Sequence, residues 1–215
     1  MDIKDYNKEQ FKNVCFVTGT ATGGKTTISK ALAEKYGFFR YDVDVEFDRH
    51  KALSNPIDQP YMNKEFKDAD EFFLRDKDEY IDWLINNTKE QMEFILKDLV
   101  ELSKNQKVVC DLHLNVDEAR QIANTNQLVF LIREDNTNII DDYINRKSHE
   151  GFKNFINSST NPELAKENCN SVLRELNEKR CKDIRNSEYL YIERNANSTV
   201  EKTLELVERQ FGLIK

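Results

Sequence analysis

The sequence is poor in the residues that interrupt or cross-link a chain, with six glycines, three prolines and four cysteines among 215 residues. No two cysteines have C-x-x-C spacing and the three histidines are scattered, so the sequence does not indicate a zinc site, and the cysteines are expected to be free thiols. No apolar run approaches the roughly 18 residues that a membrane helix needs. The charged N-terminus has no signal-peptide core, and we therefore expect a cytosolic protein.

Basic residues are also in deficit. Lys and Arg number 32 against 39 Asp and Glu, which gives a net charge of −7 and a pI near 5.2. With no basic tract, general nucleic-acid binding is not expected, although local basic clusters can still bind small anions. A chain of this length is one domain by default, here 1–215, and nothing in the sequence decides between a monomer and a homodimer.

Short apolar runs alternate along the chain with longer amphipathic stretches, and we interpret the short runs as buried strands and the long ones as helices. This alternation predicts an α/β fold with a five-stranded parallel sheet, helices on both faces and a ligand at the carboxyl ends of the strands. The predicted strands are 13–18, 38–43, 107–112, 127–132 and 189–193, and the predicted helices are 25–36, 78–103, 116–123, 137–146, 162–185 and 198–211.

A glycine-rich loop lies between the first predicted strand and the first predicted helix. The run Gly19-Thr20-Ala21-Thr22-Gly23-Gly24-Lys25-Thr26, followed by Thr27, fits the pattern G-x-x-x-x-G-K-[ST]. Its glycines allow successive N–H groups to point at phosphate oxygens, and the helix start adds positive charge. Lys25 can then reach the β- and γ-phosphates and Thr26 can ligate Mg²⁺. We therefore predict binding of a nucleoside triphosphate with Mg²⁺.

Acidic residues follow the next two predicted strands. Asp42 and Asp44 end the second one, where strand alternation would point both carboxylates the same way, with Val43 opposite. Such a pair can hold the water shell of a metal ion and accept a proton from an attacking hydroxyl. Asp111 ends the third predicted strand and is a candidate to hold a magnesium-bound water. The predicted metal set is therefore Thr26, Asp42 and Asp111.

These two motifs together resemble the small P-loop kinases of the shikimate-kinase and nucleoside-monophosphate-kinase group. The resemblance implies ATP as the nucleotide, with Asp42 beside Mg²⁺ and Asp44 beside the acceptor hydroxyl. It also implies that the helical segment 47–105 binds the acceptor, that 146–161 is a mobile lid, and that Arg146 closes over the phosphates. The turn with Asn195, Ala196 and Asn197 would wrap the adenine.

The sequence also departs from this group. Cys110-Asp111-Leu112-His113 stands where shikimate kinases have a glycine-rich stretch, so shikimate is not the expected acceptor. We predict an ATP-dependent phosphotransferase that acts on a small-molecule hydroxyl, with Lys25, Asp44 and Arg146 as catalytic residues and ATP and Mg²⁺ as cofactors. The alternatives are a nucleoside or nucleoside monophosphate kinase, and an ATP-binding regulatory protein without a small acceptor. A GTPase is disfavoured because no N-K-x-D motif follows the fourth predicted strand.

Two groups of residues are left without a definite role. The aromatic residues of the insertion are better explained as core than as the wall of an acceptor pocket, and the sequence does not rank Tyr61, Lys64 and Arg75 as pocket residues. Further cations that can surround a transferring phosphate are Arg133, Lys147, Arg174, Arg180 and Arg185.

Overall fold

The computed structural model describes residues 3–133, 139–146, 149–195 and 197–215. The strands are β1 Val14–Gly19, β2 Phe39–Asp42, β3 Val108–Asp111, β4 Leu128–Arg133 and β5 Tyr191–Arg194. The helices are α1 Lys25–Tyr36, α2 Val43–Leu53, α3 Ala69–Phe73, α4 Lys77–Leu102, α5 Val116–Ile122, α6 Ile139–Ile144, α7 Glu150–Asn157, α8 Pro162–Arg185 and α9 Val200–Gln210.

The five strands form one parallel sheet in the order β2-β3-β1-β4-β5. The predicted fold class is therefore confirmed. The chain leaves β1 through α1 and crosses over β3 to reach β2, while β4 lies on the other side of β1. Because the connections diverge at the end of β1, a crevice for a ligand opens there, which places the glycine-rich loop at the centre of the carboxyl edge.

Strand alternation divides the core into two layers. Phe16, Cys110 and Phe130 face α4 and α5 on one side of the sheet. Val17 and Val129 face α1 and α9 on the other side. These residues are essentially inaccessible to solvent, so both faces of the sheet are covered, as a parallel sheet requires.

A third apolar cluster lies outside the two sheet layers. It joins α3, the start of α4, α6, α7 and α8, and its buried members include Phe73, Tyr80, Ile144 and Ile156. Partly buried aromatic rings, among them Phe72, surround these residues. We call this assembly the aromatic cluster, and it includes residues from the middle of the segment 47–105, which was expected to bind the acceptor.

The segment 47–105 is less helical than predicted. Helix α2 already begins at Val43, and residues 54–68 form turns between α2 and α3. Asn55 Oδ1 accepts hydrogen bonds from the N–H groups of Ile57 and Asp58, and Pro56 lies inside this turn. Because an asparagine side chain that binds the following backbone competes with helix formation, the helix stops here.

The segment 146–161 contains a packed helix, whereas a polar lid without packed structure was predicted. Phe152, Phe155 and Ile156 share one face of α7 through their spacing of three and four residues. This face packs on the aromatic cluster, with the ring centroid of Phe155 5.2 Å from that of Phe73. In the sequence this amphipathic pattern is hard to recognise, because polar residues separate the three apolar ones.

None of the described helices is both long enough and apolar enough to cross a membrane.

Candidate functional site

The glycine-rich loop follows a path that only glycine permits at two positions. A Cβ on Gly19 would lie 2.0 Å from the carbonyl oxygen of Leu131, and one on Gly23 would lie 2.3 Å from the same oxygen. Gly19 also has φ +130° and Gly24 has φ +102°, in the region that favours glycine. The loop therefore packs directly on the backbone of β4, which explains two of the glycines in the motif.

Groups from three other elements hold the loop. The Thr20 N–H donates to Leu131 O at 3.1 Å. Asn177 of α8 accepts from Ala21 N at 3.0 Å and donates to Ala21 O at 3.4 Å. The Arg194 guanidinium donates to the Thr22 carbonyl at 3.1 Å. Neither Asn177 nor Arg194 was predicted from the sequence; an asparagine in the middle of the predicted helix 162–185 was the available signal for the first.

Lys25 lies at the centre of the charged groups of the site. Its ammonium donates to Thr20 O at 2.7 Å. Burial, followed by the positive charge of Arg180, lowers the pKa of Lys25 to about 7. Asp111 and Asp44 act to raise this pKa and Arg146 to lower it further. The structure thus brings the three predicted catalytic residues Lys25, Asp44 and Arg146 into one electrostatic neighbourhood, together with Arg180.

Asp44 reaches this neighbourhood differently from the prediction. Strand β2 ends at Asp42 and α2 starts at Val43, so Asp42 and Asp44 do not share a strand face. Asp44 lies in the first helical turn, where the helix dipole favours a carboxylate, and its side chain is exposed. An exposed carboxylate beside Lys25 is accessible to an acceptor molecule.

Asp42 and Asp111 are bridged by an arginine that the sequence analysis did not single out. The two aspartates are register partners in neighbouring strands. Arg40 Nη1 donates to Asp42 Oδ2 at 2.6 Å and Nη2 donates to Asp111 Oδ2 at 3.2 Å, while Nε donates to Ser29 Oγ at 3.1 Å. The spacing R-x-D was visible in the sequence, because residues i and i+2 of a strand face the same side.

The residues present fit a magnesium ion at Thr26 and Asp111. Burial raises the pKa of Asp111, and the nearby Thr26 hydroxyl acts to lower it. Asp111 Oδ1 is buried and has no hydrogen-bond partner among the described residues. A hydroxyl beside an unsatisfied carboxylate oxygen is the donor set by which P-loop proteins hold Mg²⁺ and its waters. Asp42 is engaged by Arg40 and fits this role less well.

Arg180 and His113 flank the start of the loop. His113 Nδ1 lies 3.0 Å from Gly19 O and 3.1 Å from Arg180 Nη1. Burial, together with the charges of Lys25 and Arg180, holds the pKa of His113 well below its ordinary value, so the imidazole is neutral. In the described part of the chain Arg180 forms no ion pair within 4.0 Å; burial lowers its pKa and the charge of Glu118 acts to raise it.

The other candidate cations are engaged elsewhere or lie outside the described residues. Arg133 pairs with Asp142. Arg185 pairs with Glu193 at 3.1 Å. Arg174 is exposed and lies 3.9 Å from Glu178, and Lys147 is not among the described residues. Arg146 is half-buried, with its guanidinium carbon 6.0 Å from the ring centroid of Tyr143.

A cavity of about 100 Å³ opens between the glycine-rich loop and the start of α9. Its lining includes Thr27, Ile192 and Thr199. The adjacent turn is closed by its own hydrogen bonds, with the Asn197 N–H donating to Asn195 Oδ1 at 2.9 Å. The turn that was predicted to wrap the adenine thus lies next to this cavity. Ala196, which was predicted to take part, lies outside the described residues.

Arg75 is enclosed by aromatic rings. Its guanidinium carbon lies 4.6 Å from the ring centroid of Phe66, 4.8 Å from Phe72, 4.2 Å from Tyr80 and 4.9 Å from Trp83. All three guanidinium nitrogens are buried and have no hydrogen-bond partner in the described part of the chain. Cation–π attraction stabilises the charge, but the donors are unused.

The aromatic cluster adjoins the charged site. Burial, with the negative charge of Asp44, raises the pKa of Tyr143 to about 12, whereas Arg146 acts to lower it. Tyr143 in turn acts on the pKa of Tyr80, which burial raises well above its ordinary value and Arg75 acts to lower. Tyr80 and Tyr143 both belong to the aromatic cluster, so this cluster reaches from the surroundings of Arg75 toward those of Asp44.

Comparisons with known proteins find structural similarity only. No protein-family model matches the sequence, and a search of the curated proteins also finds no match. Among solved structures, a shikimate kinase from Acinetobacter baumannii in complex with shikimate is 16% identical, with 93% of each chain covered and a TM-score of 0.51. A sugar kinase from Janibacter sp. is 13% identical, covering 93% of this chain and 94% of that chain, with a TM-score of 0.43.

A deoxyadenosine kinase from M. mycoides is 14% identical, covering 94% of this chain and 100% of that chain, with a TM-score of 0.45. At these identities the similarity concerns the fold, and it rests on the structure whose TM-score exceeds 0.5. The chain is thus structurally similar to the P-loop small-molecule kinases, whose α/β fold with a five-stranded parallel sheet it has.

Proposed function

We propose that the protein is a kinase that transfers the γ-phosphate of MgATP to a hydroxyl group of a small molecule. The observation that carries this proposal is the set of charges around Lys25, with Arg146 and Arg180 on the positive side and Asp44 and Asp111 on the negative side. Phosphoryl transfer needs positioning and positive charge around the transferring group, with a carboxylate to orient the acceptor.

Each residue has a distinct role in this proposal. The N–H groups of the glycine-rich loop bind the phosphates, and Lys25 neutralises the charge that develops on the β- and γ-phosphates. Thr26 and Asp111 would hold Mg²⁺, which supplies further charge neutralisation when bound. Asp44 orients the acceptor hydroxyl and accepts its proton, and Arg146 closes over the phosphates.

The unused donors of Arg75 support an acceptor that carries an acidic group as well as a hydroxyl. A buried guanidinium without a counter-ion is unfavourable, and a carboxylate or phosphate of the acceptor would supply one. Arg75 lies over the Tyr80 ring, and Tyr80 belongs to the same apolar cluster as Tyr143, whose pKa Asp44 acts to raise.

The test is ADP release by the purified protein with MgATP, measured against hydroxylated carboxylic acids, sugars, nucleosides, nucleoside monophosphates and aminoglycosides. Lys25→Ala is the matched inactive control, with its fold checked by circular dichroism. We expect an acidic hydroxyl compound to raise ADP release well above background in the wild type alone. Stimulation by nucleosides would instead indicate a nucleoside kinase, and tight MgATP binding without any acceptor effect would indicate a regulatory protein.

A further inference from the structure

Arg40 brings a positive charge into the part of the site where a metal ion would bind. Its side chain is 17% exposed and lies between Asp42 and Asp111, whose side chains are 27% and 6% exposed. Ser29, which accepts a hydrogen bond from Arg40, donates one to the Thr26 carbonyl at 3.2 Å. The guanidinium is thus connected to both carboxylates and to the backbone of the residue that is proposed to ligate Mg²⁺.

The charge balance depends on this arginine. Two adjacent carboxylates with little exposure would attract a divalent cation strongly, whether or not a nucleotide is present. With Arg40 between them, the group retains a single negative charge. The Oδ2 atoms of both aspartates are occupied, and Asp111 Oδ1 remains unpartnered in the described structure. A metal ion can interact with that one oxygen, but the electrostatic attraction from the two carboxylates together is weaker than it would be without Arg40.

We propose that Arg40 is a positioning residue that makes divalent-metal binding depend on the nucleotide. It serves as a fixed internal cation, so that Mg²⁺ binds well only when the phosphates of the nucleotide add their own negative charge and oxygen ligands. Arg40 also holds Asp111 so that Oδ1 faces the metal that the nucleotide brings. This inference rests on the proposed function for the identity of the metal site.

The experiment is a Mn²⁺ titration followed by the electron paramagnetic resonance signal of free Mn²⁺, without nucleotide and then with ADP, and the Mn²⁺ that ADP binds in the absence of protein is subtracted. The variants are Arg40→Met, Arg40→Lys and Arg40→Met combined with Asp111→Asn. Arg120→Met is the matched control, because Arg120 also bridges two carboxylates, those of Asp117 and Glu188, but at an exposed position. Arg40→Gln replaces Arg40→Met if circular dichroism shows that the latter does not fold.

We expect the wild type, Arg40→Lys and Arg120→Met to bind Mn²⁺ weakly without nucleotide and much more tightly with ADP. Arg40→Met should bind Mn²⁺ without nucleotide at least about tenfold more tightly than the wild type, because a positive charge in direct contact with the carboxylates is gone. Asp111→Asn should abolish that gain. A role of Arg40 in stability alone would leave Mn²⁺ affinity unchanged.

Two results would overturn the inference: tight Mn²⁺ binding by the wild type without nucleotide, or a folded Arg40→Met protein that binds Mn²⁺ as weakly as the wild type. Failure of the proposed function has a different signature. In that case the wild type would not bind Mn²⁺ with ADP either, while the comparison without nucleotide would still test Arg40.

Discussion

The glycine-rich loop and the aromatic cluster differ in whether the polar groups that define them have hydrogen-bond partners. At the loop, Thr20, Ala21 and Thr22 are bound by groups of β4, α8 and β5, so the backbone is fixed before a ligand arrives. In the aromatic cluster, the guanidinium of Arg75 is buried, and its three nitrogens have no hydrogen-bond partner among the residues that the structure describes. The backbone of the loop is preorganised by these hydrogen bonds, although the Thr22 hydroxyl is buried without a partner among the described residues, whereas the cluster retains a buried charge that a ligand can pair with.

The largest effect should come from breaking the close approach of the loop to β4. Gly19→Ala places a Cβ 2.0 Å from Leu131 O at φ +130°, and we expect the free energy of unfolding to fall by about 3 kcal/mol or more. Gly151→Ala is the control on α7, because Gly151 is exposed and its Cβ would meet nothing within 4 Å. It should stabilise α7 by about 0.5–1 kcal/mol. Urea denaturation measures the change in unfolding free energy for both variants. Equal changes would contradict the close approach of the loop to β4.

Arg75→Met tests the unsatisfied charge. If Arg75 binds an acidic group of the acceptor, its removal should raise the acceptor KM by about a hundredfold, because a buried charge contact is lost, while MgATP affinity stays unchanged. Stability should be equal or higher, since an unpartnered buried cation is replaced by an apolar side chain of similar length.

Lys64→Met is the matched control for Arg75→Met. Lys64 lies over the same Phe66 ring, 5.3 Å from its centroid, but is exposed and pairs with Glu79. An equal rise of acceptor KM in both variants, or a marked loss of stability in Arg75→Met alone, would show that Arg75 has a structural role only.

The pH dependence of nucleotide binding should report on Lys25. Its pKa near 7 in the free protein means that the ammonium loses its proton as the pH rises above 7. Bound phosphates favour the protonated form and raise this pKa, so binding takes up a proton. We expect MgATP affinity to decrease by about tenfold between pH 7 and pH 8.5.

Isothermal titration calorimetry in buffers of different ionisation enthalpy measures this proton uptake directly. The Lys25→Ala variant should bind more weakly and without the pH dependence. A wild-type affinity that is constant from pH 7 to pH 8.5 would contradict the lowered pKa.

The smallest effect comes from a matched pair of asparagines on α8. Asn177→Ala removes the two hydrogen bonds to Ala21 and should weaken MgATP binding by about fivefold, the size of one net hydrogen bond. Asn168→Ala removes a hydrogen bond to Phe73 O in the aromatic cluster and should leave MgATP binding unchanged. Fluorescence titration with a labelled nucleotide compares them, and equal losses would mean that Asn177 does not act through the loop.

Local signals in the sequence were sufficient for much of the fold. The predicted bounds of α1 coincide with the structure because Gly24 and Gly37, both at positive φ, delimit it. Those of α8 coincide because Asn161 caps its start and Pro162 occupies the first turn. The sheet was predictable because a buried parallel strand needs a continuous apolar run.

The errors arose where long-range contacts decide the structure. Asp44 was assigned to a strand, but β2 ends where its pairing with β3 ends, and the chain turns into α2. The environment of Arg40 depends on Asp111, which is 71 residues away in the chain. The aromatic shell of Arg75 is assembled from side chains whose packing no local pattern specifies. The roles of the predicted site residues stay predictions until they are tested.

Helix α8 contacts two regions of the molecule that lie apart. Its 24 residues span about 36 Å, and its Asn168 and Cys169 contact the aromatic cluster, while Asn177 and Arg180 contact the glycine-rich loop and its neighbour His113. The aromatic cluster and the glycine-rich loop therefore share one continuous element, so a substitution that shifts α8 as a whole would displace contacts of both regions, whereas removal of a single side chain such as Arg75 or Asn168 would not.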